Sequence, residues 1–369
     1  MNALPEPNPQ PRLLSTFFKR ILPNSQAIAL VLILVIGFLS IYYLADILMP
    51  ALVAIVIAYL LEGIISQAEK CKIPRIIAVV LVFSGFMTCL VFLLLILMPI
   101  LYEQTLQLIQ HTPYMVKSVQ NEILRLPEMY PQFISEDKLR SIVITSQQEI
   151  LKYSQQLLSF SAESVISMVT ALIYLILVPM LVFFFIKDKH FLVTWAVKFL
   201  PKDRHLSLQV WREVDGQIGN YVRGKVVEMM ILWIVSYVTF SLLGLKYAML
   251  LAVLMGLQTM IPYVGATLVT FPVLLVAYFQ WGISADEFMY VSIAYAIIQT
   301  IDGVALVPLL FSEAVNLHPI AIIVAILFFG GIWGFWGVFF AIPLATLVKA
   351  VINAWPKTEN SHSHPELLI

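Results

Sequence analysis

Ionisable and amide side chains inside apolar runs are where this sequence could do chemistry. Asp302 lies deep in the apolar stretch 289–310, with Gln299 and Thr300 beside it. A charge at the centre of a membrane helix costs about 2.5–3.5 kcal/mol on insertion scales, so such a group is buried and often functional. Asp302 therefore reads either as a cation- or proton-binding carboxylate or as a hydrogen-bond partner between helices. Glu228 stands near the start of its apolar run and Glu62 near the end of another. For both, a structural role at the membrane edge is the leading reading. Gln258, Thr259, Pro262, Tyr263 and Gly265 cluster inside 249–281. Proline withdraws a backbone donor and glycine permits close approach, so this cluster reads as a broken helix lining a solute site or as a proline kink. Gly330, Gly331, Gly334 and Gly337 fall largely on one helical face, interleaved with Trp333 and Trp336. They suggest close helix packing, a hinge or the tip of a re-entrant hairpin.

Other chemistries lack support. Gly219-Asn-Tyr-Val-Arg-Gly224-Lys225 approaches a phosphate-binding loop, but Val226 stands where Ser or Thr must bind Mg²⁺, and an apolar run follows. No metalloprotease, nucleophile-elbow or paired-cysteine zinc pattern occurs, and Cys71 and Cys89 have no metal-ligand spacing to histidine. The expectation is a protein that is not an enzyme and uses no cofactor or metal. Its expected partners are the lipid bilayer and a small-molecule or ion substrate, with no nucleic acid.

The elements that must position these residues are long apolar helices. Of 369 residues, 60% are hydrophobic and 12% charged, against about 25% charged in soluble domains. Eight apolar segments run at 27–45, 47–65, 76–102, 164–186, 226–243, 249–281, 289–310 and 319–353. A crossing needs about 20 residues, so 249–281 and 319–353 are too long for one simple span. The fold class is all-α: a polytopic membrane helical bundle of about eight transmembrane segments, two of them long and either broken or re-entrant.

Basic residues orient the chain. Arg12, Lys19 and Arg20 precede the first span, Lys70, Lys72 and Arg75 follow the second, and eight Lys or Arg fall within 187–225. This places both termini in the cytoplasm, with a tight link at Asp46 between the first two spans. The organisation is a cytoplasmic tail at 1–26, spans one to three within 27–102, and an external amphipathic helical insert at 103–163. Span four follows at 164–186, then a cytoplasmic amphipathic loop at 187–225, a core with broken helices at 226–353 and a polar tail at 354–369. Pro113, Pro127 and Pro131 are expected to break the insert. The insert packs on itself, on a second subunit of a homo-oligomer or at the membrane surface.

Several motifs then combine. Gln299-Thr-Ile-Asp302-Gly-Val-Ala-Leu-Val-Pro308, Leu317-His318-Pro319, Gly330-Gly331 through Gly337 and Ala341-Ile-Pro343-Leu-Ala occur in that order. They resemble the C-terminal signature of the autoinducer-2 exporter family of permeases. Ile261-Pro262-Tyr263-Val264-Gly265-Ala266 and Tyr221-Val-Arg223-Gly224 match as well. Gly303 departs from the pattern, because many members carry Asn there. The resemblance implies a multi-pass bacterial inner-membrane protein engaged in export or ion-coupled transport. Combined with the residues above, it leads to a secondary transporter in which Asp302 binds a cation and Gln258 and Gln299 hold solute or ion. Pro262 and Gly265 would shape that site. A passive channel, or a scaffold acting through the 103–163 insert, is the alternative.

Overall fold

A computed structural model describes residues 25–129, 165–198, 205–262, 264–311 and 317–354. Helices throughout the described residues follow from the apolar runs, because backbone groups in a bilayer must pair within their own segment. Seven described helical stretches are long and apolar enough to cross a membrane. The helices are α1 (Ser25–Lys70), α2 (Arg75–Phe92), α3 (Met98–Met129), α4 (Val165–Lys187), α5 (Lys189–Val197), α6 (His205–Leu242), α7 (Ala248–Leu257), α8 (Val264–Trp281), α9 (Asp286–Ile301), α10 (Val307–Phe311), α11 (Pro319–Phe339) and α12 (Ala341–Ala354).

Two expectations change here. The first two apolar segments form one continuous helix, α1, of 46 residues. Asp46 has no glycine or polar run around it, so nothing in the local sequence forces a turn. Pro113 and Pro127 do not break the insert's first helix. Both lie within α3, which a single π-helical turn at Leu93–Leu97 joins to α2. Pro131, with the rest of 130–164, falls outside the described residues, as do 1–24 and 355–369.

The chain forms two compact units. One comprises the described parts of Met1–Met49, Asp188–Tyr221 and Glu313–Ile369, the other those of Pro50–Lys187 and Val222–Ser312. In the second unit, Ala54, Ala58 and Ile65 of α1 pack with Ala78 and Val79 of α2 and Val182 and Ile186 of α4. The small alanines let these helices approach closely. Arg75 grips Glu62 with both guanidinium ends, at 3.1 and 3.2 Å, and also donates to the Ile186 carbonyl at 3.1 Å. Glu62 therefore takes the structural role expected of it.

The rest of the second unit is built on a helical hairpin. α7 and α8 do not continue one another; the chain folds back between them. At the base, Gln280 of α8 accepts the Lys246 N–H and donates to the Gly244 carbonyl, both at 2.8 Å. At the tip, the 3₁₀ turn Gln258–Met260 leads into extended Ile261 and then Pro262. A Cβ on Gly265 would lie 2.0 Å from the Gln258 carbonyl oxygen, so only glycine closes this turn. Leu251, Ala252 and Met255 of α7 and Val269, Val273 and Val276 of α8 share one core with Leu232 and Phe240 of α6 and Val291 and Tyr295 of α9.

The first unit holds a second hairpin. Within α11, Gly334 takes φ 59°, ψ −134° and breaks the helix. Beyond the break the chain returns. Ala341 packs on Ala325 and Phe329, and a Cβ on Gly337 would lie 1.8 Å from the Phe329 carbonyl oxygen. The four glycines thus divide their work. Gly334 supplies the bend, Gly330 and Gly337 the close approach, and Gly331 faces open space. Gly337→Ala is expected to destabilise the protein by about 1–3 kcal/mol through overpacking, whereas Gly331→Ala leaves it unchanged. Thermal unfolding of the two variants in detergent checks this.

A carboxylate and amide cluster at the hairpin tip

The tip of the α7–α8 hairpin meets α9 and α6. Gln258 and Gln299 exchange two amide hydrogen bonds, at 3.2 and 3.0 Å. Gln299 also donates to the Tyr295 hydroxyl at 2.8 Å. That hydroxyl donates to the Ala266 carbonyl at 3.0 Å and lies 2.6 Å from Thr270 Oγ1. Side chains at positions 295 and 299 share one face of α9, which is why one helix can serve the whole chain of bonds. Gln258 and Thr259 are both buried. Replacing Gln299 by Leu strands the buried Gln258 amide, at an expected cost of about 1–3 kcal/mol. The double variant Gln258→Leu/Gln299→Leu is expected to recover much of it, and a double-mutant cycle of unfolding measures the coupling.

One turn beyond Gln299, the helix widens into a π-helical turn at Asp302–Leu306. Such turns leave the regular ladder and recur at functional sites. Asp302 begins it. Its Oδ1 atom is buried and has no hydrogen-bond partner among the described residues. An unpaired buried acceptor normally costs about 1–3 kcal/mol, so it stands out.

α6 brings the opposing charges. Glu228, only 2% exposed, pairs with Lys225 at 2.8 Å, one turn away on the same face. The Lys225 ammonium also lies 4.9 Å from the centre of the Phe311 ring. Gly224 makes room for that ring, because a Cβ there would meet it at 2.7 Å. The charge of Lys225 acts on both Glu228 and Asp302, and the Asp302 carboxylate acts on Glu228. Lys225 is thus paired with Glu228, and the half-buried Asp302 lies within electrostatic reach of both.

The structure brings together Asp302, Gln299, Gln258 and Gly265 with Pro262 at the turn. Tyr263 lies outside the described residues. The glycines 330, 331, 334 and 337 belong to the hairpin of the other unit. Sequence reasoning gave Glu228 an edge role and met Lys225 in the discounted phosphate-loop match and among the basic residues of 187–225, yet the two pair with each other close to Asp302. Their signal was available: an acid and a base three residues apart, on one face of a helix that begins at His205, well before its apolar run.

The motif order, the paired hairpins and this cluster of charged and amide side chains can be set beside known proteins. Residues 31–357 match the family described as AI-2E family transporter. The chain belongs to the AI-2E transporter family. It is a multi-pass membrane transport protein. It is 43% identical over 344 residues to "Putative permease PerM" of Escherichia coli K12, covering 93% of this chain and 97% of that one. "Putative transport protein YueF" of Bacillus subtilis is 26% identical, covering 84% of each chain. "AI-2 transport protein TqsA" of E. coli is 22% identical, covering 87% of this chain and 89% of its own. AI-2E relatives thus extend across nearly the whole length of the chain, hairpins included.

Proposed function

We propose that this protein is a secondary transporter, working without ATP hydrolysis, that exports a small solute or ion in exchange for a proton or sodium ion. The observation that carries the reading is the buried, unpartnered oxygen of Asp302 beside the Lys225–Glu228 pair. Two carboxylates against one ammonium leave a single negative charge, and an uncompensated charge in hydrocarbon is costly. One monovalent cation or one proton neutralises the cluster. Its arrival and departure therefore change the electrostatic cost of exposing the cluster to either side, which is the requirement for coupling. Gln258 and Gln299 supply amide oxygens and hydrogens at the same level for solute or ion.

The hairpin supports the depth of this site. α7 has ten residues and rises about 15 Å, half of a hydrocarbon core of about 30 Å. With its base at the bilayer surface, its tip lies within the hydrocarbon core, between the reach of α7 and that of the 18-residue α8. Irregular backbone is tolerated there where it is buried in protein or lines a cavity. The Escherichia coli and Bacillus subtilis relatives favour a bacterial membrane, and the basic residues of 187–225 favour a cytoplasmic face for that stretch.

The test is transport by the purified full-length protein in proteoliposomes, with proton and sodium gradients imposed in turn and a panel of small solutes that includes AI-2. Saturable flux that follows one gradient is the expected result. Flux that neither saturates nor responds to a gradient is a passive channel and overturns the reading.

A further inference from the structure

The α7–α8 hairpin has a second polar end. Beside its base, away from the carboxylates, lies a cavity of about 420 Å³. α3 lines it with His111 and Tyr114, the turn before α7 with Lys246 and Tyr247, and α8 with Phe279 and Gln280. The floor is fixed. Buried Tyr247 hydrogen-bonds through its hydroxyl to His111 Nδ1 at 2.8 Å, and both polar atoms of the Gln280 amide are engaged in clamping the hairpin.

The electrostatics of this end are opposite to those of the tip. Among the described residues no carboxylate lines the cavity; Asp286 and Glu287, in the first turn of α9, are not among its walls. Lys246 is exposed at the rim, and its side chain makes no ion pair among the described residues. α7 begins at this edge with Tyr247 as its N-cap and no side-chain cap on that residue. Of the first N–H groups of α7, that of Leu250 is taken by Gln104 at 2.8 Å. A helix N-terminus carries partial positive charge, which adds to that of Lys246.

We infer that this cavity binds a small organic anion, with a carboxylate or phosphate group facing Lys246 and His111 and an apolar body against Phe279. The volume admits a ligand of small-metabolite size. The same chemistry is offered by a soluble anion and by a phospholipid headgroup, and the experiment separates them.

Benzoate and its neutral isostere benzamide serve as probes. Each is titrated by calorimetry into the full-length protein in nanodiscs of phosphatidylcholine. Benzoate is expected to bind at one saturable site, about tenfold or more tighter than benzamide, the difference of one charge-assisted hydrogen bond. Lys246→Gln is expected to weaken benzoate by a similar factor, and Lys246→Arg to retain it. Because Lys246 is exposed, neither change threatens the fold. Nanodiscs containing phosphatidylglycerol then identify the source: loss of benzoate binding marks a headgroup site, and unchanged binding marks a site for a soluble anion. Equal affinity for benzoate and benzamide, or wild-type affinity in Lys246→Gln, overturns the inference.

Discussion

Replacing Asp302 with Asn is expected to abolish the response of transport to an ion gradient while leaving the protein folded. Oδ1 of the carboxylate is buried without a hydrogen-bond partner among the described residues, so the isosteric amide breaks no hydrogen bond at that atom. What is lost is the charge. A charge-assisted contact contributes about 1.5–3 kcal/mol, which corresponds to about ten- to a hundredfold in cation affinity. With Asp302 neutral, Lys225 and Glu228 balance each other and the cluster has no charge left to offer. Gradient-driven flux should fall by about that factor, with residual flux independent of the gradient. The competing role, a hydrogen bond between helices, predicts the reverse: lower thermal stability with coupling intact. Flux and unfolding measured on the same preparation separate the two.

Lys225→Met is expected to have the largest effect on stability. Glu228 is almost fully buried and Lys225 is its ion-pair partner at 2.8 Å. Removing one member of a buried pair costs about 3–5 kcal/mol, because the other charge stays behind without compensation. The contact with the Phe311 ring is lost as well. Adding Glu228→Gln to Lys225→Met removes the stranded charge and should recover most of the stability. Were the double variant as unstable as the single one, Lys225 would act through packing of its stem and not through its charge.

The fold was legible in the sequence wherever the bilayer dictates it. Long apolar runs announced helices, and the excess length of 249–281 and 319–353 announced breaks. Pro262, Gly265 and Gly334 were marked by residue type alone, since each restricts or frees the backbone in a way no neighbour can override. That both broken elements fold back as hairpins was left open, because a kinked crossing and a hairpin share one hydropathy pattern. The contacts that decide it are distant in sequence, such as Gln280 with Lys246 and Gly244. The continuity of α1 through Asp46 was missed because a single acidic residue between two apolar runs looks like a link. Pro113 and Pro127 misled for a related reason: a proline removes one helical hydrogen bond, at a cost of about 3 kcal/mol, which a helix of 32 residues can bear.

The candidate site was half legible. Asp302, Gln299 and Gln258 stand out as polar groups in apolar surroundings. Lys225 and Glu228 lie at the start of an apolar run, where a charge ordinarily reaches water, and hydropathy cannot tell an edge from a buried turn. What places them is the length of α6 and the packing of α10 against it, with the Phe311 ring seated over Gly224. Neither is encoded locally.

The central claim is that two carboxylates and one ammonium present a single charge to be neutralised in each transport cycle. The reversal potential of flux in proteoliposomes, measured against a series of opposing ion gradients, tests it most directly. The account predicts a stoichiometry of one monovalent cation or proton per cycle in the wild type. A stoichiometry of two, or a reversal potential set by the solute gradient alone, would contradict it.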